Sequence, residues 1–384
     1  MLKLFEVKGF KNFKNTITLD FSKVRDYKFN PECISNGLLG KTIVYGKNSV
    51  GKTNLGLAMF DIVSHLTSNQ IDNDLYDNYM SMHSSIWPWN VKFRYVFSFG
   101  NETIDYSYDK NGSRELQYER IKLNGKLLYE YNYLGKSGNL DALKELDPTL
   151  DLSKRGEDCI LKFLVNNRLL PDTHPLWKMI QFVSKMLWFV GSNPNTFIGY
   201  KIQNKDYYDF IFENNNLREF EDLLHKTGEK GNLSSAIDNT GKKRLYLNLE
   251  VPSDKGIYSY AEGVEGALPF FSVASRGTKA LYNFFYWYKK ATDISLMFID
   301  EFDAFYHYEL SKTIVEILKK MGNTQEILTT HNTNLLSTKI MRPDCFFNLT
   351  ERGLNSFANA TNRELREGHN LEKLYMSGEF DGRQ

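Results

Sequence analysis

Gly46-Lys47-Asn48-Ser49-Val50-Gly51-Lys52-Thr53 matches G-x-x-x-x-G-K-[ST] at every fixed position. In that pattern the glycines let backbone N–H groups turn inward around phosphate oxygens, Lys52 adds a mobile full charge, and the Thr53 hydroxyl can ligate Mg2+. The chemistry is binding of a nucleoside triphosphate, ATP or GTP. Three later stretches also carry reactive types. The nearly continuous apolar run Ile294–Ile299 closes on Asp300-Glu301, Glu326–Thr330 closes on His331, and Ser275-Arg276-Gly277-Thr278 opens a helical pattern. Carboxylates at the C-terminal end of a parallel strand lie beside the ligand crevice of an α/β sheet. Taken singly, each of the three has a plainer reading: a polar strand end, a turn histidine, a Ser-capped helix.

The flanking elements suit a phosphate loop. Thr42-Ile43-Val44-Tyr45 is a β-branched and aromatic run, and Leu55, Ala58, Met59, Ile62 and Leu66 recur at helical spacing, so the loop joins a strand to a helix N-terminus. The chain opens on a hairpin, with Leu2 and Leu4 on one face, Phe5 and Val7 on the other, and a second strand over Thr16–Phe21. Alternation through Val91, Phe93, Tyr95 and Phe97, then Ile104, Tyr106 and Tyr108, with turns at Gly100-Asn101 and Asn111-Gly112, predicts an antiparallel meander.

From 126 to 242 the pattern is mostly helical. One helix starts at Pro175 with Leu176, Met179, Ile180, Val183, Met186 and Leu187 in register, and another runs through Leu217, Phe220, Leu223 and Leu224. Neither sustains a heptad, which predicts a compact insertion and no coiled-coil rod. Alternation returns at Leu245, Leu247, Leu249 and Val251. Helices follow through Leu281–Tyr288 and Leu310–Met321, and a last strand at Cys345–Leu349. The predicted architecture is α/β, a mixed sheet with an antiparallel β subdomain, over residues 1–125 and 243–384. Residues 126–242 form the insertion, a sensor or partner-binding element.

At 384 residues the chain can bury a large core, and 48 Lys and Arg against 47 acids leave a net charge of +1. Such balance gives no support for a nucleic-acid partner, although net charge does not exclude a local basic surface. The three cysteines, Cys33, Cys159 and Cys345, are scattered and show no zinc-type spacing. The N-terminus reads as a strand and no apolar run approaches the length of a membrane span, so a cytoplasmic protein without membrane partners is expected. Aromatic clusters such as Tyr207-Tyr208 and Phe284–Tyr288 fall in helical segments, where core packing competes with base stacking as an explanation. Lys11-Asn12-Phe13 reads equally as a hairpin turn or as a turn near the nucleotide.

The order of these pieces (phosphate loop, distant Ser-x-Gly-Thr, strand ending Asp-Glu, strand ending in His) resembles the ABC-class ATPases of the SMC, RecF and OLD group. Within that group, Ala274–Lys279, Met341-Arg342-Pro343-Asp344 and Tyr375-Met376-Ser377-Gly378 resemble phage-defence ATPases of the RloA, AbiL and AriA type. The resemblance implies an ABC-type P-loop ATPase head. It makes Asp300, with Thr53, a holder of Mg2+, Glu301 the general base on the attacking water, and His331 a contact to the γ-phosphate or that water. Ser275, Gly277 and Thr278 would close on the nucleotide of a second subunit in a head-to-head dimer. It further implies a phage-derived trigger and a separately encoded effector, often a nuclease. No room is expected for a fused nuclease after Glu379-Phe380-Asp381-Gly382. Three departures stand out: no magnesium-ligating glutamine can be placed, Arg276 replaces a small or acidic residue, and His307-Tyr308 replaces His-Pro.

Two functions compete. One is an ATP-hydrolysing oligomeric switch of bacterial antiviral defence, and the other is a RecF- or SMC-like DNA-repair or DNA-clamping ATPase. The missing heptads and balanced charge weigh against the second.

Overall fold

The computed structural model describes all residues except 68–72, 82–89, 147–149, 157, 168, 172, 201–203, 229–231, 239, 249–266, 291–292, 323 and 382–384. Its centre is a seven-stranded sheet in the order Asn193–Gly199, Met186–Val190, Leu296–Asp300, Gln325–Thr330, Lys41–Tyr45, Phe346–Thr350, Gly353–Ser356. The inner five strands are parallel and the two outer ones antiparallel to their neighbours. Strands 41–45, 296–300 and 325–330 are buried at every position, as expected of parallel strands covered on both faces. All three end at the same edge of the sheet, where the phosphate loop, Asp300 and His331 follow them.

A second seven-stranded sheet is antiparallel throughout and forms the β subdomain. It contains the opening hairpin, the expected strands Val91–Phe99 and Glu102–Asn111, and then Glu115–Leu123, Lys126–Asn132 and Ser137–Asn139. Leu2 is buried on the same side as Phe5 and Val7, because a register irregularity between Leu2 and Leu4 reverses the expected alternation. The molecule is thus an α/β P-loop fold with an antiparallel β subdomain.

The helix Lys52–Leu66 lies between the two sheets and is fastened to both. Towards the subdomain, its Asp61 is buried and accepts from Tyr79 Oη (2.6 Å), Tyr108 Oη (2.8 Å) and Lys110 Nζ (2.6 Å). Towards the central sheet, a Cβ on Gly56 would lie 2.4 Å from Trp188 Nε1, so glycine lets the indole approach the helix.

The expected boundaries at 125 and 242 do not match the elements. Lys126–Asn132 continues the meander. The helix from Pro175 stops at Ser184, and Met186 and Leu187, expected on it, open the strand Met186–Val190 beside Leu296–Asp300. Met-Leu-Trp-Phe-Val is apolar at every position, so burial on both faces suits it better than a one-sided helix does. The helix Asn216–Lys226 forms as expected. Strand Lys243–Asn248 pairs with Asn232–Ile237 and Ala267–Pro269 in a separate three-stranded sheet, and its expected continuation through Leu249 and Val251 lies outside the described residues.

Candidate nucleotide site

The loop 46–53 leaves strand Lys41–Tyr45 and turns into helix Lys52–Leu66. Ser49 (φ 65°) and Gly51 (φ 104°) take left-handed backbone conformations, which glycine adopts without strain. A Cβ on Gly46 would lie 2.7 Å from Val50 Cγ2 and 2.9 Å from Leu349 O, so the first glycine allows close approach to the neighbouring strand. Lys52 Nζ donates to Gly46 O (2.8 Å) and Lys47 O (3.1 Å), holding its charge inside the curl of the loop. Burial lowers the Lys52 pKa, against the opposing pull of Asp300, Glu301 and Asp303.

Asn12 decides between the two readings of its turn. Its Nδ2 donates to Val50 O (2.8 Å), its Oδ1 accepts from Asn54 Nδ2 (2.8 Å), and a Cβ on Gly51 would lie 2.6 Å from Asn12 Oδ1. The turn braces the phosphate loop from outside.

Asp300 ends and Glu301 follows the strand Leu296–Asp300, which Gln325–Thr330 separates from the strand that leads into the loop. Thr329 Oγ1 donates to Asp300 Oδ1 (2.6 Å) and accepts from Glu301 N (2.8 Å). Thr53 also hydrogen-bonds the Asp300 carboxylate. Asp300 is buried and, among the described residues, makes no ion pair within 4.0 Å. Burial raises its pKa, opposed by the Thr329 and Thr53 hydrogen bonds and by Lys52, and reinforced by Glu301. A buried carboxylate and a hydroxyl side by side, lacking a close counter-cation, form a hard-oxygen donor set that fits Mg2+. Glu301 is exposed and has φ 49°, an uncommon value for a non-glycine residue that marks a sharp turn directly after the strand.

Asp303 was not singled out in the sequence, yet it lies 7% exposed behind this edge and accepts from Thr330 Oγ1 (2.9 Å). Its pKa is raised by burial, against hydrogen bonds from Thr330 and Asn332 and the charge of His331. His331 is exposed at the end of its strand. Lys52, Thr53, Asp300, Glu301, Asp303 and His331 therefore gather at one edge, delivered by three adjacent parallel strands.

Ser275, Gly277 and Thr278 sit apart. Ser275 Oγ accepts from Thr278 N (3.0 Å) and pairs with Thr278 Oγ1 (2.7 Å), capping the helix Arg276–Lys290. A Cβ on Gly277 would lie 2.9 Å from Phe305 O, and the Arg276 guanidinium lies 5.8 Å from the Phe305 ring centroid. The segment thus packs on the turn that follows Glu301. Among the described residues, no hydrogen bond joins Ser275, Gly277 or Thr278 to residues 46–53.

Gln117, a glutamine in the interval where relatives carry a magnesium ligand, lies on strand Glu115–Leu123 of the antiparallel subdomain. By contrast, Gly191 follows the unexpected strand Met186–Val190 and adjoins the acids: its N–H donates to Asp300 O (2.9 Å), and a Cβ there would meet Glu301 O at 3.1 Å. Only the strand pairing reveals this neighbour.

The fold also gathers ligand-type residues that are far apart in the chain. His65, Glu119 and Cys159 bring their ligand atoms within 4.8 Å of one another. Glu119, however, accepts from Tyr106 (2.9 Å), Tyr129 (2.7 Å), Tyr133 and the amides of Ile160 (2.9 Å) and Leu161 (3.3 Å). The carboxylate is consumed in holding the start of helix Ile160–Asn166, and burial lowers the His65 pKa and raises that of Cys159, leaving neutral imidazole and thiol. This is a hydrogen-bonded core.

A protein-family profile described as "AAA domain, putative AbiEii toxin, Type IV TA system" matches residues 169–337. Among solved structures, the chain is similar to an SMC head bound to the C-winged helix domain of ScpA, with 14% identity and a TM-score of 0.47 over 92% of this chain and 96% of that one. It is also similar to the SMC head domain from Thermotoga maritima, with 14% identity, a TM-score of 0.43, and 91% and 94% of the two chains covered. For the recombination mediator protein RecF-ATPrS of the RecFOR pathway the values are 14%, 0.38, 93% and 98%. No curated protein matches the sequence. Among the described residues, no helix is long and apolar enough to cross a membrane.

Proposed function

We propose that the protein is an ATP-binding and ATP-hydrolysing switch of bacterial antiviral defence, whose heads pair around nucleotide and control a separately encoded effector. The observation that carries the ATPase reading is the convergence of Lys52 and Thr53 with Asp300 and Glu301 at one edge of the parallel sheet.

In this reading the amides of residues 46–53 and the Lys52 ammonium hold the phosphates, and Thr53 and Asp300 hold Mg2+. The metal supplies charge neutralisation at the phosphates. Glu301, next to the metal-holding acid but exposed on its turn, orients and deprotonates the attacking water, and His331 contacts the γ-phosphate or that water. Thr329 keeps the two acids in fixed relation.

Ser275, Gly277 and Thr278 cap a different helix and, among the described residues, make no hydrogen bond to residues 46–53, which supports their use by a second copy. Val273 (42% exposed), Phe305 (41%) and Tyr308 (36%) add uncovered apolar surface near them, suited to burial in a head-to-head contact. Closed contacts made only with ATP present would make the dimer a nucleotide-dependent state. The match of residues 169–337 to a family described by a toxin of a toxin–antitoxin system supports the defence setting.

Mass photometry of Glu301→Gln, expressed together with its neighbouring gene, tests the reading. An ATP-dependent dimer or larger assembly carrying the neighbour's mass is expected, and Lys52→Ala should prevent it. An ATP-independent monomer without a partner would overturn the switch. Steeply salt-dependent, ATP-dependent DNA binding would instead favour a DNA clamp.

A further inference from the structure

Asn283 lies on helix Arg276–Lys290, 1% exposed, two turns beyond the Ser275 cap. Its Nδ2 donates to two successive carbonyls, Val190 O and Gly191 O, both at 3.3 Å. Its Oδ1 is buried without a hydrogen-bond partner. Turning the amide over would set Oδ1 against two carbonyl oxygens, so the orientation is determined by what it grips. A buried amide with one end unpartnered is costly to keep for packing alone.

What it grips is the rear support of Glu301. Val190 pairs with Asp300 in the sheet, Gly191 N–H donates to Asp300 O (2.9 Å), and the missing Cβ of Gly191 lets its backbone sit against Glu301 O and Phe302. The same helix touches the far side of this turn, where Gly277 packs on Phe305 O. One helix thus meets the turn 301–305 near its Ser275 end and, through Asn283, grips residues 190–191 that back the start of that turn.

We infer that Asn283 is a positioning residue that ties the setting of the Glu301 carboxylate to the position of helix Arg276–Lys290, so that engagement of Ser275 by a second copy is felt at the hydrolytic acid. This rests on the proposed role of Glu301. Movement of the helix would be carried through the Asn283 amide to residues 190–191 and from there to the backbone of residues 300–302.

Steady-state ATPase kinetics and ATP-binding titrations on Asn283→Leu test this, with Gly191→Ala as an independent perturbation of the same support. For both variants kcat should fall at least about tenfold while KM and ATP affinity stay within about twofold. In the double variant Asn283→Leu with Glu301→Gln, single-turnover hydrolysis should be no slower than with Glu301→Gln alone, because both changes act on one group. Wild-type kcat in Asn283→Leu and Gly191→Ala, or losses that multiply in the double variant, would overturn the inference while leaving the ATPase reading intact. Hydrolysis by Glu301→Gln at the wild-type rate would remove the role proposed for Glu301 and the inference with it. If Asn283→Leu does not fold, Gly191→Ala carries the kinetic test.

Discussion

The Thr329 hydroxyl donates to the Asp300 carboxylate at 2.6 Å across adjacent parallel strands, and the same oxygen accepts the Glu301 amide at 2.8 Å. One side chain therefore sets the relation between the two acids. Thr329→Val keeps the shape and removes both bonds. Hydrogen bonds to charged groups contribute about 1.5–3 kcal/mol, so kcat for MgATP should fall roughly tenfold or more with little change in ATP affinity. An unchanged kcat in a steady-state assay would show that the acids are held in place by other means.

Asn12 acts on binding. Because it joins Val50 O to Asn54 across the outside of the phosphate loop, Asn12→Ala frees the loop to sample conformations that cannot wrap phosphates. ATP affinity should weaken about tenfold in a fluorescent-nucleotide titration, the loss of about 1.4 kcal/mol. The melting temperature without nucleotide should change little, and equal affinity for wild type and variant would contradict the bracing role.

Gly56 sits in the interior of helix Lys52–Leu66, where alanine would ordinarily be preferred by about 1 kcal/mol. Here the added Cβ would lie 2.4 Å from Trp188 Nε1 and 2.9 Å from Phe298 Cε1, so the sign reverses. Overpacking of this kind costs about 1–3 kcal/mol, and Gly56→Ala should lower the urea midpoint. Adding Trp188→Phe should recover part of the loss. A stabilised Gly56→Ala would mean that the indole moves aside freely.

Glu326 gives stability a pH dependence. It is 2% exposed, and Lys41 Nζ lies 3.0 Å from its Oε1 but donates to Met321 O (2.5 Å) and Thr324 O (2.9 Å). Burial raises its pKa from 4.5 to about 8, with Lys41 opposing. A carboxyl with a raised folded-state pKa contributes stability that is fully present below the unfolded value and lost as pH rises through the folded one. Wild type should therefore lose stability relative to Glu326→Gln between about pH 5 and pH 8. Urea midpoints measured across that range check this, and a constant difference would refute it.

Much of the site was legible because its motifs are local. The phosphate loop is contiguous, the strand ending in Asp300 announces itself by a nearly continuous apolar run, and the short strand before His331 by its β-branched and apolar residues Ile327–Thr330. Asp303 and Thr329 were missed because a single acid in a turn and a threonine within a strand carry no spacing signal. Their roles arise from sitting across from Thr330 and Asp300. The strand Met186–Val190 was missed because helical periodicity from Leu176 to Val183 carries on numerically through Met186 and Leu187, although the helix ends at Ser184.

The phosphate loop between strand and helix, the opening hairpin and meander, and the order of the chemically capable residues can all be read along the chain. Those are properties of neighbours along the chain, governed by side-chain period and turn chemistry. That Met186–Val190 enters the central sheet, that Asn12 bonds the phosphate loop, and that Asn283 grips residues 190–191 behind Glu301 emerge only from the folded chain. Each of these depends on contacts between residues far apart in sequence, and such contacts are selected by burial and hydrogen-bond satisfaction over the whole core, which no local pattern records.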